Sequence, residues 1–166
     1  MDGMVTKAPC FTGLRPSSTV SARAKRSNRG RDTLHEVALR RELWRMGLRF
    51  RNNVRTLPGK PDIVFTAERV AVFCDGDFWH GRNWRLLRRK LRQGWNAAYW
   101  LAKIGSNMQR DRRDTALLRK LGWRVIRLWE GKITKDPVGV ATRVTRTIEA
   151  SRRRMTKRTS ANGRSA

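Results

Sequence analysis

The chain has 166 residues, with 39 lysines and arginines against 13 aspartates and glutamates, so its formal net charge is +26. This length suits one domain with a core, and no apolar run approaches the roughly 20 residues of a membrane-spanning helix. The charge predicts a polyanionic partner, because binding releases its counterions; we favour nucleic acid over an anionic membrane surface. The N-terminal apolar stretch is too weak for a signal peptide, so we expect a soluble intracellular protein.

The chain has two cysteines, Cys10 and Cys74, and neither belongs to a CxxC pair. This excludes a disulfide framework and gives no sign of a cysteine zinc site. We expect Cys74, at the end of an apolar run, to be a small buried residue.

Three segments differ in composition. Residues 1–31 are rich in Ser, Gly, Pro and basic residues, and we expect a basic arm that stays disordered until it meets DNA. Residues 32–151 have the apolar patterning of a folded domain. Residues 152–166 contain no acid and predict a second basic, disordered tail.

In chain order, Thr33-Leu-His-Glu36 matches a capping box, so a helix should begin there and end at Gly47. Its apolar face should hold Leu39, Leu43 and Met46. An edge strand is predicted over 48–54, and a hairpin over 62–74 that turns near 67–69.

The second half predicts a basic segment at 82–94 that is either a short helix or a loop ordered by DNA. A helix over 98–121, a strand over 123–130 and a helix over 137–154 follow. Leu121 is expected to face the core at the end of the longer helix. This order predicts an α/β fold, with a mixed sheet and helices on its faces.

Two aspartates flank the predicted hairpin, Asp62 before its first strand and Asp75 after its second. If the strands pair, both carboxylates lie at one end of the sheet, where they could hold Mg²⁺. His80 follows five residues after Asp75 and could act as general base or acid. Glu36 could reach the same site or only cap its own helix, whereas His35 is expected to be an ordinary surface residue.

A plain alternative exists for each of these features. Asp75-Gly76-Asp77 could be only an Asp-Gly turn. Four tryptophans in irregular or basic surroundings could stack on bases or pack against the sheet: Trp79, Trp84, Trp95 and Trp100.

Five separated motifs resemble, in order, those of the very-short-patch repair endonucleases. They are GRDTLHE (30–36), LPGKPDIVF (57–65), VAVFCDGDFWHG (70–81), YWLAKIGSNMQRDRRD (99–114) and LGWRVIRLWE (121–130). The resemblance implies a restriction-endonuclease-like fold with a mixed β-sheet flanked by helices. It also implies a monomeric, Mg²⁺-dependent enzyme that nicks one strand of double-stranded DNA beside a T:G mismatch. The resemblance places this activity in the bacterial cytoplasm at the nucleoid, with mismatch-repair proteins as candidate partners.

Site residues follow from the resemblance by motif. Asp62, the main chain of Cys74 and Asp75 correspond to metal-site positions, and Glu36 and His80 to catalytic ones. Residues expected to contact DNA are Phe78, Trp79, Trp100 and Asn107, together with Arg82, Arg85, Arg88 and Arg89 of the basic segment. Asp111 and Asp114 belong to the RDRRD motif, where Asp114 could instead pair with Arg110.

The sequence departs from the family at two places. Asp75 stands where the best-known members carry a histidine. The structural zinc positions of the family read Asp77, Arg82, Trp84 and Gly131, so we expect no zinc, with Asp77 as a possible partner of Arg82. Two alternatives therefore stay open: a related endonuclease with a different target, restriction-associated or strand-nicking, and a DNA-binding protein without catalysis.

Overall fold

The computed structural model describes the backbone of residues 31–162 and the side chains up to Thr156. Its elements, in chain order, are α1 (Leu34–Arg45), β1 (Arg51–Asn52), β2 (Ile63–Phe65), β3 (Val70–Asp75), α2 (Trp84–Arg92), α3 (Ala97–Lys120), β4 (Arg124–Trp129), α4 (Glu130–Lys135) and α5 (Pro137–Asn162).

The sheet has four strands in the order β1-β2-β3-β4. The first three are antiparallel, with Ile63 opposite Val72, and β4 runs parallel to β3. All six residues of β3 are buried because helices cover both faces of this central strand. The predicted mixed sheet flanked by helices is therefore confirmed.

Alternation along β3 divides the core between the two faces of the sheet. Val70, Val72 and Cys74 join a large cluster with residues of α1, α4 and α5. Ala71 and Phe73 face the other way and pack with Leu118 of α3. The C-terminal end of β3 thus lies between α1 and α3, and the side chains that follow it are held from both sides.

Most predicted elements are present. The hairpin turns where expected, the basic segment contains a helix, and Gly47 ends α1 with a φ of +76°. The predicted edge strand shrinks to two residues, and a short α4 was not predicted. Leu121 was wrongly predicted to face the core: it is the C-cap of α3 and is 54% exposed. Met46, which was predicted on the apolar face with Leu39 and Leu43, is the C-cap of α1 and is 37% exposed.

The predicted tail boundary at residue 151 falls inside α5, which continues to Asn162. Residues 152–162 are helical. No glycine or proline interrupts residues 140–162, and Arg152 is bonded to Glu68 at 2.8 Å; both features favour continuation of the helix. Cys10 and nearly all of the predicted N-terminal arm lie outside the described residues. Within residues 31–162, no helix is both long and apolar enough to cross a bilayer.

Candidate active site

The hairpin brings Asp62 to the C-terminal end of β3, as predicted. Because β2 and β3 are antiparallel, Asp62 donates its N–H to the carbonyl of Val72 and accepts the N–H of Cys74 on Oδ2 at 2.7 Å. Burial raises the pKa of Asp62 to about 6; the Cys74 hydrogen bond opposes this shift, and the charges of Glu36 and Asp75 add to it. A cation bound beside Asp62 would offset the cost of ionising this buried carboxyl group.

Glu36 lies in the same cleft and is bonded to the turn that leads into α1. It is 4% exposed and accepts hydrogen bonds from the Thr33 hydroxyl at 2.8 Å and the Asp32 N–H at 3.0 Å. Its charge contributes to the raised pKa of Asp62. The predicted capping box is wrong, because the Thr33 hydroxyl bonds the Glu36 carboxylate and no backbone N–H of α1. The catalytic role of Glu36 stays a prediction.

His35 is a correction, because it is 8% exposed and not a surface residue. Its Nε2 lies 3.1 Å from the Thr33 hydroxyl, and its Nδ1 lies 3.7 Å from Glu130. Of these two contacts, only Thr33 is local; Glu130 lies far along the chain, so the helical pattern alone gave no sign of this burial.

His80 forms a dyad with Asp111 of α3, with Nδ1 and Oδ2 2.6 Å apart. Burial alone would raise the pKa of Asp111, but the His80 hydrogen bond and the charge of Arg127 outweigh it and lower the pKa. Asp111 is thus a carboxylate at neutral pH and can only accept, so Nδ1 of His80 carries the hydrogen. In the neutral ring, Nε2 then holds the free lone pair that a general base needs.

Arg127 of β4 is the main site residue that the sequence did not reveal. Its Nε and Nη2 bond the two oxygens of Asp75 at 2.7 and 2.6 Å, and Nη2 lies 3.1 Å from Asp111. Asp75 is only 3% exposed, so Arg127 supplies the compensating charge. The available signal was an arginine with apolar neighbours on both sides in the strand RVIRLW.

These groups line one open cleft of about 1230 Å³ between α1, the 55–60 loop and α3. No cluster of three or more His, Cys, Asp or Glu side chains in residues 31–162 has the spacing of a metal site. Mg²⁺ commonly uses only one or two protein carboxylates, with waters and substrate phosphates completing its shell. The Asp62 carboxylate and the adjacent Cys74 main chain fit that sparse type of site.

An aromatic cluster borders the cleft. The ring centroids of Phe78, Trp79 and Trp100 lie 5.3 to 5.8 Å apart, so the three predicted DNA-contacting rings form one group. Asn107 is 7% exposed and donates its amide N–H to the carbonyl of Trp79 at 3.0 Å. In this structure Asn107 holds the backbone of the aromatic cluster.

The basic segment presents exposed arginines from α2: Arg85, Arg88 and Arg89. Trp95, just after the helix, is 71% exposed. Arg82 differs because it is half-buried and bonded to Asp77 at 2.7 Å. The surface of α2 is therefore suited to phosphate contacts, whereas Arg82 is engaged within the protein.

Asp77 and Arg82 form what we call the corner ion pair. The N–H of Gly131 lies 3.4 Å from Asp77 Oδ1, and a Cβ at Gly131 would stand 2.6 Å from Asp77 and 2.7 Å from Arg82. An arginine paired with an aspartate beside a bare glycine offers none of the thiolate or imidazole ligands of a structural zinc. These residues do not fit the structural zinc that the family resemblance implies.

Asp114, the last acid of the RDRRD motif, pairs with its neighbour. It is 6% exposed, and Arg113 bonds it at 3.1 Å, so Arg110 is not the partner that the helical spacing suggested. The 55–60 loop packs closely against Asp114, since a Cβ at Gly59 would lie 3.1 Å from the Asp114 Cβ. We assign Asp114 to packing of the 55–60 loop on α3.

Known proteins are similar to this chain in sequence. Residues 18–86 match the family model described as DNA mismatch endonuclease Vsr. The type II nicking enzyme V.NmeDIP of Neisseria meningitidis serogroup C is 39% identical over 122 residues, which cover 74% of this chain and 81% of that relative. The type II nicking enzyme V.HpaIIP of Haemophilus parainfluenzae is 36% identical, covering 68% and 79%.

The DNA mismatch endonuclease Vsr of Escherichia coli (strain K12) is 42% identical over 100 residues, which cover 60% of this chain and 62% of that protein. Two structural observations agree with this sequence similarity. The chain has the predicted α/β architecture, and one cleft contains Asp62, Glu36 and the His80–Asp111 dyad. The chain is a DNA endonuclease with a restriction-endonuclease-like fold, and it belongs to the Vsr family of DNA mismatch endonucleases.

Proposed function

We propose that this enzyme nicks one strand of duplex DNA beside a T:G mismatch, with Mg²⁺ as cofactor. The observation that carries the proposal is the juxtaposition of Asp62 with the His80–Asp111 dyad in a cleft bordered by the aromatic cluster. A metal-dependent nuclease needs a carboxylate that binds the cation, and a base that accepts the proton of the water attacking the same phosphate. A mismatch enzyme also needs a device that enters a weakened base step, which exposed aromatic rings can supply.

In this scheme His80 accepts a proton from the attacking water on Nε2. Asp111 keeps the ring in the required tautomer and stabilises the imidazolium that forms. Asp62 and the Cys74 carbonyl would hold the cation, and Glu36 would fix the position of the attacking water or of the waters around the cation. When bound, Mg²⁺ would stabilise the negative charge that develops on the phosphate and the leaving oxygen.

Asp75 was predicted to be both catalytic and a metal ligand. Its two oxygens are both bonded to Arg127. Direct ligation would therefore require one oxygen to exchange the guanidinium for the cation. We retain Asp75 in the site on the strength of its position beside Cys74 and His80, which lies 3.5 Å away.

DNA is held by charge and by stacking. The exposed arginines of α2 contact phosphates, and Phe78, Trp79 and Trp100 enter the duplex beside the mismatch. Each molecule carries a full set of these groups, so a monomer suffices. The DNA substrate places the enzyme at the nucleoid in the cytoplasm, where mismatch-repair proteins are candidate partners.

A second candidate is a related endonuclease that nicks DNA at a different target. The corner ion pair favours it, because these residues lie in the loop that leads into the aromatic cluster and replace the metal ligands of the family. Both candidates share the catalytic groups. They differ only in what the aromatic cluster selects.

The test is a nicking assay on two end-labelled duplexes that are identical except for a T:G mismatch in place of C:G. Wild type is compared with Asp62→Asn and with Glu149→Gln, a matched carboxylate-to-amide change on the exposed surface of α5. We expect a nick in the mismatched duplex only, lost in Asp62→Asn and with EDTA, but kept in Glu149→Gln and with a zinc-selective chelator. Equal cutting of both duplexes supports the second candidate, and DNA binding without any cut refutes both.

A further inference from the structure

Arg127 joins two acids that lie on different elements. Its guanidinium makes a two-pronged contact with Asp75 at the end of β3 and reaches Asp111 on α3 at 3.1 Å. Its Cζ lies 4.6 Å from the ring centroid of Phe73, and Nη1 lies 3.4 Å from the Thr115 hydroxyl. A planar guanidinium supported on a ring face has little freedom to move, so the positions of both carboxylates are fixed by it.

His80 faces a choice between these two carboxylates. Its Nδ1 lies 2.6 Å from Asp111 and 3.5 Å from Asp75. With Arg127 in place, Asp75 has both oxygens occupied and a neutralised charge, and Asp111 is the better acceptor. Without Arg127, Asp75 would be a buried, unpaired anion within reach of His80 and of the cation site.

We propose that Arg127 is a positioning residue of the nicking reaction: it withholds Asp75 from His80 and from the cation, and thereby keeps His80 on Asp111. This inference rests on the proposed function, because it concerns the rate of that reaction. It assigns Asp75 a specific place, as the counter-charge of Arg127. The contacts of Arg127 are all inside the protein, so its removal should affect turnover and not DNA affinity.

A double-mutant cycle tests this assignment. Arg127→Met removes the guanidinium and keeps an unbranched side chain, and Asp75→Asn removes the charge that Arg127 neutralises. We expect Arg127→Met to lower kcat at least 100-fold with KM for the mismatched duplex changed less than three-fold. In that background, adding Asp75→Asn should raise kcat at least ten-fold, whereas the same change in wild type lowers it.

Two further variants keep the test decisive. Arg127→Lys retains the charge but cannot bond Asp75 in two places and Asp111 together, so it should fold and show an intermediate loss of kcat. Arg124→Met is the matched control, because Arg124 lies on the same strand and bonds Thr147 and Ser151 of α5, away from the cleft. It should nick at the wild-type rate.

The inference is overturned if Asp75→Asn lowers kcat by the same factor in both backgrounds, because Asp75 then acts directly and not through Arg127. It is also overturned if the Arg127 variants change KM and leave kcat intact. A wild type that does not nick in the same assay would refute the proposed function instead. The coupling of Arg127 and Asp75 would then still be measurable in the free energy of unfolding, which separates the two failures.

Discussion

Replacing Asp62 with asparagine should make the metal-free protein more stable while abolishing nicking. Burial makes ionisation of this carboxyl group unfavourable and raises its pKa from 3.8 to about 6. Asparagine keeps an oxygen that can accept the Cys74 N–H and carries no charge, so it resembles the protonated acid. The substitution therefore removes a cost and not a contact.

The magnitude follows from the shift. A difference of roughly 2 pH units at about 1.4 kcal/mol each gives an upper limit of about 3 kcal/mol for the variant at pH 7.5. The sign depends on pH, because a raised pKa means that the folded state binds the proton more tightly than the unfolded state. The contribution of Asp62 to stability is thus complete below pH 3.8 and is lost as pH rises through about 6.

Urea unfolding in EDTA at pH 4, 5, 6 and 7.5 measures this difference, with Glu149→Gln as the matched control. We expect Asp62→Asn to gain about 1 to 3 kcal/mol over wild type at pH 7.5 and no more than about 0.5 kcal/mol at pH 4. Adding Mg²⁺ should stabilise wild type and leave the variant unchanged. A variant that is less stable at pH 7.5, or equally more stable at every pH, would refute the reasoning that desolvation dominates at Asp62.

Five other variants have expected outcomes. His80→Ala should lower the single-turnover nicking rate by about 10² to 10⁴ with the DNA dissociation constant within a factor of about two, and a loss confined to binding would contradict its role as base. Arg85→Gln should weaken binding to paired and mismatched duplexes alike, and it should reduce the number of counterions released on binding by about one. Phe78→Ala should instead remove the preference for binding the mismatched duplex. Fluorescence anisotropy over a salt series measures both effects. Gly105→Ala should add about 0.5 to 1 kcal/mol to the free energy of unfolding, since a Cβ there meets no atom within 4 Å. Gly131→Ala should add nothing, because its Cβ would displace the corner ion pair. Equal gains in the two variants would show that this ion pair does not contribute to stability.

The sequence was a good guide where local pattern decides structure. The hairpin of β2 and β3 and the glycine after α1 depend on residues close together in the chain. The pairing of Asp62 with the end of β3 followed as well, because an antiparallel hairpin places its first and last residues together. Ordered motifs were enough to predict the family.

Contacts across the sheet depended on the tertiary structure. Arg127 reaches Asp75 over 52 residues of chain and His80 reaches Asp111 over 31, and no local pattern specifies which of several acids a buried cation will meet. The same holds for His35, whose burial depends on Glu130 arriving from the far end of β4. The sequence by itself determined the fold, the polyanion partner and the set of groups capable of chemistry. Only the tertiary structure decided which of them are paired, because the energy of a buried charge depends on its neighbours in space and not on its neighbours in the chain.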